Sequence, residues 1–330
     1  MAAMCKKLYV LAVAIVLAAA HADAADINMR VFKVNDYLTA FYDGRPPQPA
    51  TATAPTAVNW ADYGAINVGV ATYVIHRGDQ ALVYDSYPYR AEAQWVRDYL
   101  TQEGIRHFTL VNSHWHLDHV GGNAVYSDSD RIATHQTIEL LTAKRAGIES
   151  GKEWGLPAIN PLVIPNIGIG GDSTVHVGDI TVELRPVNIE AEGELLIYLP
   201  RDRILLAGDA LEDTATFISE PEHLITQYAS LRQLRTWDID RIFPNHGNPD
   251  VIGHGGYQKT LIDATMAYLR RIVSHAHDPD FLSGTLEDYV GESVKKGWVS
   301  IWWAYHEAHQ SNLKAISAAW KDQALPDLPP

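Results

Sequence analysis

From about residue 70 onward, the chain breaks into short apolar runs separated by turn residues. Ala71-Thr72-Tyr73-Val74-Ile75 and Ala81-Leu82-Val83-Tyr84-Asp85 lie either side of a Gly78-Asp79 turn. Ala91 to Glu103 switches to helical spacing, with Ala91, Trp95, Tyr99 and Leu100 on one face. Phe108-Thr109-Leu110-Val111 then reads as a strand again, so residues 81–111 predict a βαβ unit. Gly121-Gly122-Asn123 starts another expected helix. The glycine-rich stretch Ile167 to Asp172 lacks the Lys-Ser or Lys-Thr end of a phosphate loop, and predicts a turn before a strand at Thr174. Val175-His176-Val177 and Ile180-Thr181-Val182-Glu183-Leu184 bracket a Gly178-Asp179 turn as a hairpin, with His176 facing solvent. From Tyr257 the pattern is helical. Ile262, Met266, Leu269 and Val273 form one stripe; Trp302, His306, His309, Leu313, Ile316 and Trp320 form a second.

The amino end differs in composition. Lys6 and Lys7 precede an apolar core from Leu8 to Ala20, and Ala22-Asp23-Ala24 offers a small-residue cleavage site. This pattern predicts a signal peptide over residues 1–24 and a periplasmic or secreted protein of residues 25–330, with about 257–330 as a helical extension. The core is too short for stable membrane insertion. Met29 to Tyr42 suggests a strand and turn, and Pro46 to Ala57 an extended surface segment. The single cysteine, Cys5, lies in the leader, so the mature chain has no disulfide and no thiolate ligand. Net charge is −14, and loss of Lys6, Lys7 and Asp23 with the leader leaves −15. Such a chain repels nucleic acid and anionic lipid at long range, while its charge says little about a small-molecule substrate, the expected partner.

The densest chemistry is His114-Trp115-His116-Leu117-Asp118-His119, directly after the Phe108–Val111 strand. Imidazole and carboxylate are the common ligands of divalent metals. In an extended segment residues i and i+2 point the same way, so His114 and His116 can grip one ion. Asp118 and His119, past the bend, can reach a second. Trp115 faces away from them by the same alternation.

This His-x-His-x-Asp-His run resembles the signature of the metallo-β-lactamase superfamily, and the similarity extends from about Val70 to Pro249. Ala71 to Asp85 is similar to that family's opening strand pair. Leu195-Leu196-Ile197-Tyr198-Leu199-Pro200 and Ile204-Leu205-Leu206-Ala207-Gly208-Asp209 are similar to its later hairpin, and Phe243-Pro244-Asn245-His246-Gly247 to the segment with its last histidine ligand. The resemblance implies an α/β fold, a four-layer αββα sandwich, here with a C-terminal helical extension. It also implies two zinc ions: His114 and His116 on the first, Asp118, His119 and His246 on the second, and Asp209 between them.

One position departs from the family. Its further histidine for the first metal falls, counting back from Tyr198-Leu199-Pro200, at Glu190. A carboxylate there still binds zinc, and its hardness admits iron or manganese. Glu190-Ala191-Glu192-Gly193-Glu194 is locally similar to the alkylsulfatase branch, where a glutamate holds the first zinc; Glu192 and Glu194 are the alternative ligands. Asp209 stands where true β-lactamases of the superfamily carry Cys or Ser. These two residues favour hydrolysis of an ester, lactone or sulfate ester by a metal-bridging hydroxide, with Asp118 as ligand and catalytic proton carrier. The rival functions are β-lactam hydrolysis and iron-dependent redox chemistry on the same fold. Asn123, His223, Tyr228, His306 and His309 are the candidate substrate-binding residues.

Overall fold

The βαβ unit expected around Asp85 is the centre of the first of two sheets. A computed structural model describes residues 27–49 and 59–329; the expected leader and most of the Pro- and Ala-rich segment lie outside them. The first sheet runs in chain order: β1 (Arg30–Lys33), β2 (Leu38–Asp43), β3 (Val70–Arg77), β4 (Gln80–Tyr84), β5 (His107–Val111), β6 (Asp130–Thr134) and β7 (Ile167–Ile169). Strands β1 to β4 pair antiparallel, and β4 to β7 pair parallel. The second sheet contains β8 (Ser173–Val177), β9 (Ile180–Val187), β10 (Glu194–Leu199), β11 (Ile204–Gly208) and β12 (Arg241–Pro244). Its order is β12-β11-β10-β9-β8, and only the β11–β12 pair is parallel.

The apolar runs are nearly continuous because both faces of each sheet are covered. Tyr73, Ile75, Leu82, Tyr84 and Val111 point into the cluster shared with the second sheet. Their neighbours Val74, Val83 and Leu110 point the other way, against Ala93, Val96 and Leu100 of α1 (Arg90–Gln102). This alternation is the two-residue period of a strand. Three short or peripheral helices follow: α2 (Leu117–Val120), α3 (His135–Glu149) and, after the second sheet's hairpin, α4 (Leu224–Leu234). Next come α5 (Pro249–Gly253), α6 (Thr260–Ser274), α7 (Leu286–Lys295) and α8 (Tyr305–Trp320). Leu231 of α4, Ile262 and Leu269 of α6, and Leu313 and Ile316 of α8 join the same cluster as β10 and β11. The result is an αββα sandwich with C-terminal helices, as expected. No helix of the described residues is long and apolar enough to cross a membrane.

Three local expectations shift. The buried face of α1 is Ala93, Val96 and Leu100, while Trp95 and Tyr99 stack on each other at 5.6 Å along its half-buried edge. Small side chains at the centre let the helix sit close: a Cβ on Gly122 would lie 2.3 Å from that of Ala93. Ile167–Ile169, expected as part of a turn, is the edge strand β7, with Gly168 opposite Ala133. Trp302 precedes α8, and the buried face of that helix is Tyr305, His309, Asn312, Leu313 and Ile316, which leaves His306 exposed.

Candidate metal centre

Parallel pairing collects the polar segments at one end of the molecule. Asp85 follows β4, the His114–His119 run follows β5, Asp209 follows β11 and His246 lies just past β12, so all sit at the carboxyl ends of parallel strands. Glu190 lies in the turn between β9 and β10. The segment after β5 cannot continue as strand because Ser113 N donates to Asp85 Oδ1 at 2.7 Å, and α2 then turns Asp118 and His119 back over the sheet.

Two buried groups of ligand atoms result. Asp118, His119, Asp209 and His246 each offer an atom within 4.8 Å of the others, and so do His114, His116 and Glu190. His114 Nε2 and His116 Nδ1 each lie 3.4 Å from Glu190 Oε2, yet His114 Nε2 and Glu190 Oε2 have no hydrogen-bond partner. Asp209 Oδ1 is likewise buried and unpartnered. Asp209 Oδ2 is 2.9 Å from His119 Nε2, 3.2 Å from His246 Nε2 and 3.9 Å from His114 Nε2, so this one carboxylate borders both groups.

The tautomers are informative. His119 Nδ1 faces Asp85 Oδ2 at 3.0 Å, and His246 Nδ1 faces the Gly69 carbonyl at 2.6 Å. Both partners are acceptors, so each Nδ1 carries its proton and each neutral ring turns an Nε2 lone pair toward carboxylates. His246 Nε2 is 3.0 Å from Asp118 Oδ2. Lone pairs aimed at carboxylates repel unless a cation lies between them, whether a proton or a metal ion. The electrostatics agree. Burial opposes the charged form of His119 and His246, but Asp209 and Asp118 (with Asp85 for His119) outweigh it and hold both well above the usual histidine range. Burial, reinforced by the neighbouring histidines, holds His114 well below that range, and burial brings His116 down to about 4. Glu190 is pushed well up by burial, then by Asp209, Glu194 and Glu212. The unpartnered atoms and the mixed imidazole–carboxylate donor set fit divalent metal ions.

A family model described as the metallo-beta-lactamase superfamily matches residues 66–246. The chain belongs to the metallo-β-lactamase superfamily. Two curated relatives match at 25% identity: a hydroxyacylglutathione hydrolase from Erythrobacter litoralis, over 42% of this chain and 50% of its own length, and a beta-lactamase-like protein 2 homolog from Caenorhabditis elegans, over 42% and 41%. The chain thus spans about half the length of the curated relatives it matches. Among solved structures, a metallo-beta-lactamase from Pontibacter korlensis shares the fold with a TM-score of 0.51 at 14% identity, over 71% of this chain and 95% of its own.

Within this metallo-β-lactamase fold, the seven expected metal-site residues come together, and Glu190 does stand beside His114 and His116. The alternatives to Glu190 do not: Glu192 is exposed and meets Gln136, while Glu194 is buried behind the ligands. The five expected substrate contacts have partners elsewhere. Asn123 neither caps a helix nor has a free group: Oδ1 accepts from Ser86 and Asn112, and Nδ2 donates to Asn112 Oδ1 and the Val163 carbonyl. His223 pairs with Glu220 on the surface. Tyr228 donates to the Pro329 carbonyl, and His306 pairs with Glu287. His309 Nδ1 meets Tyr268 Oη among the C-terminal helices. Helical spacing put these last two histidines on one face because it carried the phase of Trp302 into a helix that begins at Tyr305.

Trp115 faces away from the ligands, as expected, and packs on Trp154 and under Lys144. Two buried carboxyls, Asp85 and Glu212, were not singled out as site residues in the sequence, and a third, Glu194, was named only as an alternative ligand. Asp85 accepts from Ser113 N and Asn245 Nδ2 besides facing His119, and does so with φ at 67°. Glu212 accepts from Phe217 N and Tyr305 Oη and is pushed up to about 8 by burial, then by Asp209. Glu194 accepts from the backbone of two ligand residues. Position directly after an apolar strand is the signal shared by Asp85 and Asp209; nothing in the sequence distinguishes Glu194 from Glu192.

Proposed function

We propose that the protein is an exported metal-dependent hydrolase that binds two divalent ions, zinc first among them, and cleaves an ester, lactone or sulfate ester with an apolar portion. The observation that carries this reading is the pair of oriented rings, His119 and His246, whose Nε2 lone pairs converge on Asp209 and Asp118 at 2.9–3.2 Å. In this reading His114, His116 and Glu190 hold the first ion, Asp118, His119 and His246 the second, and Asp209 both. Bound there, the ions supply Lewis acidity and a water acidic enough to ionise near neutral pH.

The chain's own residues supply the rest. Asp118 keeps 8% exposure, more than any other of the seven, which suits it to pass a proton between solvent and the reacting group. Asp85 and the Gly69 carbonyl fix the two ring orientations, as outer partners of metal-bound histidines do. Trp154 stands with its ring 5.0 Å from that of His116 and 5.8 Å from those of Trp115 and Trp60, an aromatic surface beside the first group that suits an apolar substrate portion. Asp209 and Glu190 support ester and sulfate chemistry over β-lactams, and the relative named a hydroxyacylglutathione hydrolase supports attack on an acyl group. Glu190 adds an oxygen ligand that iron or manganese also accepts.

The test is turnover of aryl esters, lactones, alkyl sulfates and a chromogenic cephalosporin by the mature chain, before and after chelation. Chelator-sensitive cleavage of one of the first three classes is expected. Cleavage of the cephalosporin alone contradicts the substrate reading.

A further inference from the structure

Glu194 is the first residue of β10 and is fully buried, outside both ligand groups. Its Oε2 accepts from the backbone N–H of Glu190 at 3.2 Å, and its Oε1 accepts from that of Asp209 at 3.2 Å. The next residue completes the arrangement: Leu195 N donates to the Ser113 carbonyl at 2.7 Å, immediately before His114. Two consecutive residues at the start of one strand therefore touch all three segments that border the first group.

The space for this carboxylate is provided by a glycine. Gly208 has φ at 54°, and a Cβ there would lie 3.1 Å from Glu194 Oε1, 3.0 Å from Tyr84 Oη and 3.1 Å from the Cβ of Ser113. A side chain at 208 would press on the carboxylate and strain the backbone that presents Asp209.

We propose that Glu194 is a positioning residue for the metal centre: one buried carboxylate ties the backbone of Glu190 to that of Asp209, and so sets the separation between the first ion's carboxylate ligand and the carboxylate shared by both ions. The inference rests on the reading of the centre as a two-metal site. Hydrogen bonds from two backbone N–H groups to the two oxygens of one buried carboxyl group are directional, so they fix the two ligands relative to each other rather than merely filling space. A glutamate on a turn needs such a tie more than a histidine does, because it adds a rotatable bond between backbone and ligand atom.

The test uses Glu194→Gln and Glu194→Asp in the full chain. The amide turns an N–H toward one of the two backbone donors, and the shorter acid reaches neither as well. Zinc affinity is read by chelator competition, first-site geometry by the visible absorption of the cobalt-loaded protein, and folding by circular dichroism. Folded variants are expected to lose roughly 10–100-fold in affinity for the more weakly held ion, with an altered cobalt spectrum. Folded variants with native affinity and a native spectrum overturn the assignment and leave the two-metal reading intact. A native chain that binds no divalent metal overturns both. Should neither variant fold, amide exchange in the native protein decides: slow exchange at both Glu190 and Asp209 is expected, and fast exchange at either overturns the tie.

Discussion

Asp209 Oδ2 lies 2.9 Å from His119 Nε2, although ninety residues separate the two in the chain. Because His119 Nδ1 faces Asp85, that short contact needs a cation on the Nε2 side. In the metal-free protein the cation is a proton, and the carboxylates hold His119 and His246 well above the ordinary histidine range against the effect of burial. A metal ion entering the second group must displace those protons. Metal affinity is therefore expected to fall as pH falls, with a slope approaching about two log units per pH unit once both rings are protonated. Competition titrations at several pH values check this; affinity independent of pH contradicts it.

Removal of the Glu190 carboxylate leaves, among the described residues, His114 and His116 of the first candidate group. Glu190→Ala is expected to lower metal content from about two ions to about one, and to reduce hydrolysis roughly 100-fold or more. Glu190→His restores the family's pattern and is expected to recover both ions. Elemental analysis of the two variants side by side is the check. Full occupancy in Glu190→Ala assigns the ligand elsewhere.

Asp118→Asn keeps the shape of the side chain and removes its charge. With Asp118 acting as proton carrier as well as ligand, turnover is expected to fall about 10²–10⁴-fold. Supplying excess zinc during assay separates the two roles: activity restored by zinc reduces Asp118 to a ligand.

Glu212 gives a pH signature in the metal-free protein. Its carboxyl is raised from 4.5 to about 8, chiefly by burial and then by Asp209. Its stabilising contribution is complete below the unfolded value and is lost as pH rises through the folded one, because the unfolded chain releases that proton first. Glu212→Gln is therefore expected to remove a decline in stability between about pH 5 and pH 8 on the order of a few kcal/mol. Chemical denaturation of both chelated proteins at the two pH values measures the difference. Parallel pH profiles count against it.

The candidate ligands were legible where local geometry places the side chains. Three histidines and an aspartate within six residues after an apolar run need only strand alternation and one bend to enter two clusters. Glu190 was legible only through its spacing to Tyr198, because its neighbours do not mark it. Glu194 is four residues away with the same side chain, and only the pairing of β10 with β9 and β11 assigns it to the interior. Asn123, beside two glycines, looked available for a substrate until the fold placed Asn112 and Ser86 against it. His306 and His309 share a helical stripe on paper, but α8 begins at Tyr305 and turns His306 to solvent. These placements share a cause: periodicity gives the relative phase of residues within an element, while where an element starts and what lies opposite it are set by packing.

Two divalent ions that share Asp209 leave a stoichiometric mark. Metals are counted by elemental mass spectrometry on the mature chain, purified without added metal and again after zinc is restored. About two zinc per chain are expected, falling to at most about one in Asp209→Ala. A chain that takes up no zinc, or that holds a single iron, contradicts that sharing, and the iron result redirects attention to redox chemistry on this fold.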